Sequence, residues 1–314
     1  MSRFFRLLIA VVLTAVILWK VHPGDVLRST ANADWTWIGA AVALVLLDRT
    51  LMAYRWMVLL CALTPGSRPP FTSVLRIFFV STFVGTFLPS VGGDLYRAYS
   101  LSKMQVNAAE SAASVLMDRV LGVLSLLIVC VAALAAARHV VSSALVFPAV
   151  GVAALICIVA AFAVFSARGA TFAQSLATRI PNERLARGSV RLIDGLRRYA
   201  HHSAALANVL MMSVLVQVVR VLQAYCLGLA IGVDVPLPLY FVFIPVIVLI
   251  MQIPVAPSGI GTSQAAFLWL FGAVGVPAAD AVALSILFVA LGFVGNLPGA
   301  LLYVAGGRPE PQRT

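Results

Sequence analysis

Two breaks in long apolar runs constrain the fold of this chain more than any other feature. The first break is Leu88–Asp94 (LPSVGGD), and the second, 168 residues further on, is Ala256–Thr262 (APSGIGT). Lipid offers no hydrogen-bond partner, so free backbone groups persist in a membrane only where protein buries them or a wet cavity receives them. Paired Gly/Pro interruptions in two hydrophobic halves are typical of transporter binding sites. The pattern therefore predicts a transport protein.

The composition places the chain in a membrane. Hydrophobic residues make up 62% of it and charged residues 11%, whereas soluble domains contain about 25% charged residues. The apolar runs reach the roughly 20 residues that a helix needs to cross hydrocarbon. We therefore expect an all-α fold, a polytopic integral membrane helical bundle.

The positive charge is concentrated in one loop, residues 166–202. Seven arginines lie between Arg168 and Arg198, against Glu183 and Asp194. Basic loops mark the cytoplasmic side, so we expect a bacterial inner-membrane protein with both termini in the cytoplasm and no nucleic-acid partner. Within the loop, apolar and basic stripes at helical spacing (Leu185, Leu192, Leu196, Tyr199; Arg184, Arg187, Arg191, Arg198) indicate an interfacial amphipathic helix facing anionic lipid. Alternatively, the arginines only determine the orientation of the chain in the membrane and have no role towards the substrate.

The order of apolar segments predicts an inverted repeat. If the N-terminus and the basic loop are cytoplasmic, the segments around both breaks must begin and end on one side, as re-entrant hairpins. A shift of 168 residues lays 36–62 on 204–230, so we predict repeats at about 36–137 and 204–304 in opposite orientation, with hairpin tips meeting near the midplane. The predicted segments are 5–21, 36–62, 72–88, 108–137, 143–165, 203–231, 238–256, 262–275 and 279–304.

Ionisable residues inside membrane segments are candidates for function because each costs roughly 2.5–3.5 kcal/mol to insert. Asp94 and Arg97 are three residues apart, so they share a face of a helix that begins at Gly93. There, Arg97 can fork onto a phosphate, and Arg55 and Arg119 can complete a phosphate cradle. Asp94 and Asp118 would orient these arginines, so both belong to the predicted substrate-binding set. The alternatives are that Asp94 caps its helix, that Arg97 snorkels to the interface, and that Asp118 forms a structural ion pair with Arg97 or Arg55.

The prolines and glycines of both breaks, together with two polar residues of the second half, complete the predicted substrate-binding set. Glycine lets the chain reverse sharply and lets a headgroup approach the main chain, while proline breaks the helix. The second half contributes fewer charges than the first. The added residues are Pro89, Gly92, Gly93, Pro257, Gly261, Arg220 and Gln264.

Several of these stretches together resemble a known family, the flippase-type transmembrane domain of lysylphosphatidylglycerol synthases. They are Phe83–Leu101 (FVGTFLPSVGGDLYRAYSL), Met117–Gly122 (MDRVLG), Tyr54–Trp56 (YRW), Ile253–Ala266 (IPVAPSGIGTSQAA) and Gly275–Pro277. The resemblance implies a stand-alone member without the aminoacyl-transferring domain. The family often has glutamate where this chain has Gln264, which argues against an acidic role there.

The expected function is movement of an anionic phospholipid or a lipid-linked phosphate, such as a polyprenyl phosphate, between leaflets. Neither a Ser/His/Asp set nor a metalloprotease or nucleotide-binding motif occurs in the sequence, so we expect no enzyme activity, no metal and no cofactor. Two alternatives remain open: a non-transporting scaffold for envelope-biosynthesis proteins, and the membrane part of a lipid-modifying enzyme.

Overall fold

The fold is known from a computed structural model. It describes residues 33–63, 70–87, 108–136, 183–252 and 261–304, and singly 24, 30, 31, 93, 94, 96, 97, 100, 171, 172 and 175. The α-helices in these residues are α1 (Trp35–Leu63), α2 (Phe71–Phe87), α3 (Ala108–Ala136), α4 (Glu183–Arg198), α5 (Ser203–Ala230), α6 (Leu237–Gln252), α7 (Thr262–Gly272) and α8 (Ala278–Val304), and a 3₁₀ turn, Tyr199–His201, follows α4.

Helix length and apolarity confirm the predicted all-α membrane bundle. Within the described residues, α1, α3, α5 and α8 are long and apolar enough to cross a membrane. Helices α2 and α6 are shorter apolar helices. They are described as far as Phe87 and Gln252, and the residues that follow each of them lie outside the described residues. The predicted segments 5–21 and 143–165 lie outside the described residues.

The chain divides into two compact units, each of which contains one break. The first-break unit comprises residues 50–127, 143–215 and 298–314, and the second-break unit comprises residues 1–49, 128–142 and 216–297. The four long helices contribute residues to both units. These units do not coincide with the predicted repeats at 36–137 and 204–304, and the inverted repeat stays a prediction.

The core of the first-break unit surrounds the residues that flank its charged positions. Trp56, next to Arg55 in the chain, packs with Phe78 and Val74 of α2. Met117, next to Asp118, packs with Leu59 of α1 and with other buried side chains from α3, α4 and α5. Buried apolar neighbours therefore fix the backbone on either side of the charged residues.

The core of the second-break unit is a chain of aromatic rings. Tyr240 and Phe243 of α6 each contact Phe271 of α7, at ring-centroid distances of 5.1 and 5.3 Å. Phe271 stacks on Phe267 at 5.4 Å, and Phe267 meets Phe288 of α8 at 5.7 Å. Edge-to-face and stacked pairs stabilise beyond the area they bury, so these rings tie α6, α7 and α8 together.

Helix α4 differs from the predicted interfacial helix in what its apolar stripe contacts. Leu196 and Tyr199 are buried in a cluster with residues of α1, α3 and α5. The Tyr199 hydroxyl donates to the Leu59 carbonyl at 2.9 Å, and Arg198 pairs with Glu110 at 2.7 Å. Burial raises the pKa of the Tyr199 hydroxyl, which keeps it protonated as a donor. At Leu196 and Tyr199 the stripe therefore packs on protein, whereas the side chains of Leu185 and Leu192 lie outside the described residues.

Candidate functional site

The structure brings five of the predicted site residues together in the first-break unit. Arg55 lies on α1, Asp118 and Arg119 lie on α3, and Asp94 and Arg97 lie on helical backbone just after the first break. All five are linked by contacts of 4.0 Å or less between charged groups. We call these residues the charged cluster.

The innermost contact of the cluster is an ion pair between Arg55 and Asp118. Arg55 Nε donates to Asp118 Oδ1 at 2.7 Å, and Arg55 Nη1 donates to Ser213 Oγ of α5 at 2.9 Å. The two charged side chains are 4% and 3% exposed. A buried charge persists only when it is paired and hydrogen-bonded. Asp118 therefore has the structural partner that the sequence suggested, and the pair links α1, α3 and α5.

Arg97 is buried but has few hydrogen bonds within the described residues. Its Nε donates to Ser81 Oγ at 2.8 Å. Its Nη1 lies 3.9 Å from Asp94 Oδ1 and 4.0 Å from Asp118 Oδ2, which is beyond hydrogen-bond distance. The side chain is 5% exposed. Arg97 is thus attracted by two carboxylates without being hydrogen-bonded to either.

Aromatic faces support the Arg97 guanidinium. Its central carbon lies 4.3 Å from the ring centre of Phe78 and 5.5 Å from that of Trp56. Cations within about 6 Å of an aromatic ring centre are attracted by the ring, more strongly where water is excluded. Both rings therefore help to hold the guanidinium in place, while its Nε donates to Ser81 Oγ.

Arg119 and Asp94 form the least covered end of the cluster. Arg119 Nε and Nη2 each donate to Asp94 at 3.1 Å, to Oδ2 and Oδ1 respectively. Asp94 is 18% exposed and Arg119 is 51% exposed. The cluster therefore runs from a buried pair, through Arg97, to a pair that protein leaves partly uncovered. Asp94, for which the sequence also allowed a helix-capping role, is bound by Arg119.

Gly93 allows the chain after the first break to lie against α2. A Cβ at this position would lie 2.7 Å from the Ser81 carbonyl oxygen and 3.2 Å from Gly85 Cα, closer than real Cβ atoms come to backbone oxygen. Because Ser81 also accepts the Arg97 hydrogen bond, this close approach helps to position Arg97. Pro89 and Gly92 lie outside the described residues.

Arg220 belongs to a separate polar group in the second-break unit. Its Nη2 lies 3.2 Å from Asp48 Oδ1, and Arg49 Nη1 lies 3.0 Å from Asp48 Oδ2. Arg49 Nε also donates to Asn296 of α8 at 3.1 Å. Asp48 is 1% exposed, so a buried carboxylate links α1 to α5 and, through Arg49, to α8. The predicted site residue Arg220 is therefore held by a structural ion pair.

Gln264 acts locally at the second break. Its side-chain oxygen accepts from the Gly261 backbone N–H at 2.5 Å and from the Ser263 hydroxyl at 3.0 Å. Gly261 precedes α7 with φ 86°, a left-handed conformation that glycine adopts without strain. An amide oxygen is sufficient for this cap, which explains structurally how glutamine serves at this position. Pro257 lies outside the described residues.

The motifs quoted from both breaks are part of a match that covers nearly the whole chain. Residues 3–299 match the family described as the lysylphosphatidylglycerol synthase TM region. The chain belongs to this family. A comparison with curated proteins finds no significant match. Family membership gives the chain a lipid-related role within the membrane, in agreement with its apolar helices.

Sequence reasoning missed four residues of the site in this family member. Ser81 and Ser213 are hydroxyl partners of Arg97 and Arg55, and Trp56 and Phe78 are the aromatic faces beside Arg97. Serines within apolar helices bond to polar groups across helix interfaces, which is the signal that singles out Ser81 and Ser213. Trp56 lies in the Tyr54–Trp56 motif, but no sequence signal marks Trp56 or Phe78 as a neighbour of Arg97.

Proposed function

We propose that this protein moves lipids with a phosphate-containing anionic headgroup between the leaflets of its membrane. The observation that carries the proposal is Arg97, a buried guanidinium whose Nη groups make no hydrogen bond within the described residues. Arginine binds phosphate oxygens through two parallel hydrogen bonds. A lipid phosphate satisfies those donors, and the acyl or prenyl chains remain in the bilayer.

The pairing pattern assigns different roles to the three arginines. Arg55 is committed to Asp118 and Ser213, so in our proposal it positions the site. Arg97 and Arg119 share one partner, Asp94, which is held by Arg119 and lies 3.9 Å from Arg97. The incoming phosphate binds at these two guanidinium groups, with Asp94 beside it. The sequence analysis expected three arginines to bind the phosphate. In our proposal two of them, Arg97 and Arg119, bind it, and Arg55 does not.

Burial energetics favour a ligand over a purely structural network. A structural network in lipid should match each buried charge with a hydrogen-bonded partner, as Arg55 and Asp118 do. Within the described residues, Arg97 has one hydrogen-bond partner, Ser81, and two carboxylates at 3.9 and 4.0 Å. Its guanidinium therefore keeps donors that a ligand oxygen can use, beside a pair that protein leaves partly uncovered.

We also propose a location for the protein and the absence of any chemical change to its lipid. We place it in the bacterial inner membrane with both termini in the cytoplasm, on the basis of the arginine-rich loop. We propose that it transports lipid without altering it chemically, with no cofactor, and that an envelope-biosynthesis protein makes or uses the lipid. The Pro/Gly breaks act as hinges in this scheme.

The test is leaflet exchange of fluorescent phospholipid and polyprenyl-phosphate analogues in proteoliposomes. We compare wild type with Arg97→Gln and Arg119→Gln, and use Arg191→Gln, an exposed arginine of α4, as the charge-matched control. Loss of one or two charge-assisted hydrogen bonds at about 1.5–3 kcal/mol each predicts exchange slower by on the order of tenfold or more in the two site variants. The control should exchange at the wild-type rate.

Other results would support the alternatives. If the folded wild type exchanges no analogue, the transport proposal fails and the scaffold becomes the better hypothesis. Headgroup turnover by the purified protein would indicate a lipid-modifying enzyme. Equal slowing in Arg191→Gln would show that general positive charge, rather than the charged cluster, determines the rate.

A further inference from the structure

The net charge of the cluster gives a basis for choosing between two kinds of phosphate headgroup. Its described members carry three positive charges, from Arg55, Arg97 and Arg119, and two negative charges, from Asp94 and Asp118. The balance is therefore 3 − 2 = +1. One singly charged phosphate makes the occupied cluster neutral, whereas a doubly charged phosphate leaves one negative charge in excess.

An excess charge is costly here because protein covers most of the cluster. Arg55, Arg97 and Asp118 are each 5% exposed or less. Unit charges interact several times more strongly in such an environment than in water, and an isolated buried charge pays a large desolvation penalty. Phosphodiesters carry a single negative charge, while phosphomonoesters carry about −1.5 to −2 near neutral pH.

Asp94 is the carboxylate whose negative charge lies nearest to the proposed phosphate site. Asp118 is hydrogen-bonded to Arg55 at 2.7 Å in the buried part of the cluster. Asp94 faces both proposed phosphate-binding arginines: it is bound to Arg119 and lies 3.9 Å from Arg97. A phosphate at these arginines meets the Asp94 charge at close range, so repulsion from Asp94 increases with each negative charge on the headgroup.

We propose that Asp94 determines headgroup specificity, so that the site accepts singly charged phosphodiester lipids in preference to doubly charged phosphomonoester lipids. This inference rests on the proposed phosphate site between Arg97 and Arg119. It decides between two headgroup classes that the sequence left open. Asp94 acts by its charge: a neutral asparagine of the same shape would retain one of the two acceptors that face Arg119 and would remove the repulsion.

The experiment is a binding competition in nanodiscs at about pH 8, where phosphomonoesters are doubly charged. A fluorescent phosphatidylglycerol analogue is displaced by unlabelled phosphatidylglycerol, a diester, or by phosphatidic acid, a monoester, with identical acyl chains. Wild type should prefer the diester. Asp94→Asn raises the cluster charge to +2 and should shift the affinity ratio towards the monoester by about tenfold, given the strength of a unit charge at such distances.

A compensating double variant separates charge from structure. Arg119→Gln lowers the cluster charge to 0 and should weaken binding of the monoester more than that of the diester. Combining Asp94→Asn with Arg119→Gln restores +1 and should restore the wild-type diester preference. A purely structural role of the Asp94–Arg119 pair predicts no such return. Asp194→Asn, a change at an exposed carboxylate of α4, is the control and should leave the ratio unchanged.

The outcomes distinguish this inference from the proposed function. Arg97-dependent leaflet exchange together with an unchanged ratio in Asp94→Asn would overturn the inference alone. If wild type binds neither lipid and exchanges none, both fail. Glycerophosphoglycerol, a soluble diester, tests the source of the phosphate, and competition as strong as that of the lipid would overturn the lipid assignment. If Asp94→Asn does not fold, Arg119→Gln decides the question, and equal weakening of both lipids would refute the role of charge.

Discussion

Two aspartates of the charged cluster should respond very differently to the same isosteric change. Asp118→Asn removes the charge that neutralises Arg55 in a site where both side chains are 4% exposed or less. Removing one member of a buried pair typically costs about 3–5 kcal/mol because the remaining charge is uncompensated. Asp94→Asn affects a pair whose arginine is 51% exposed, and such pairs contribute about 0–1 kcal/mol.

The difference between the two variants is therefore about 2–5 kcal/mol, which is large enough to measure. An unfolding entropy of about 2.1 cal/mol/K per residue means that each kcal/mol shifts the Tm of a chain of this length by roughly 1.5 °C. Asp118→Asn should therefore unfold roughly 3–7 °C below Asp94→Asn. The assay is thermal unfolding in one detergent, followed by intrinsic fluorescence at a fixed scan rate. Size-exclusion chromatography before heating checks that each variant begins folded.

A double variant tests the physical reason for this difference. Arg55→Met combined with Asp118→Leu removes both charges, and apolar replacement of a buried pair is often neutral or stabilising. The double variant should recover most of the stability that Asp118→Asn loses. Equal melting temperatures for the two Asp→Asn variants, or a double variant less stable than Asp118→Asn, would refute the argument from buried charge.

Two further predictions concern contacts that hold the site in place. Gly93→Ala should cost about 1–3 kcal/mol in stability, because the new Cβ meets backbone at Ser81 and Gly85. The variant should also slow leaflet exchange, because it displaces Ser81, the hydrogen-bond partner of Arg97. A normal melting temperature would contradict the close packing. Tyr199→Phe removes the hydrogen bond to the Leu59 carbonyl and should lower stability by about 0.5–1.5 kcal/mol while leaving exchange unchanged, and slower exchange would show that α4 has a role in transport.

Apolar runs allowed the described membrane helices to be predicted from the sequence, because a helix that crosses lipid must be apolar over its whole length. Predicted segment 36–62 corresponds to α1 at Trp35–Leu63, and 279–304 to α8 at Ala278–Val304. The partner of Asp118 was also predictable, since a buried carboxylate requires a nearby cation. The inverted repeat and the meeting of the hairpin tips remain predictions.

Other features depend on packing between distant segments and could not be predicted in this way. Ser81 becomes a partner of Arg97 only because Gly93 brings two backbones together. The apolar stripe of α4 was visible as a pattern, but the pattern is the same whether lipid or protein covers it. Leu196 and Tyr199 pack on α1, α3 and α5, a choice made by the tertiary structure. The partners of Asp48 could not be predicted for the same reason, because Arg49 lies on α1 and Arg220 lies on α5.

The setting of Arg97 also has an evolutionary consequence. A planar guanidinium offers faces to Phe78 and Trp56 and an edge nitrogen to Ser81 at the same time. Lysine carries the same charge, but its ammonium is a compact point charge without faces or a fixed fork. A drift from arginine to lysine at this position would conserve the charge and lose the geometry. Relatives that transport the same headgroup should therefore retain arginine here even where their other basic residues interchange freely.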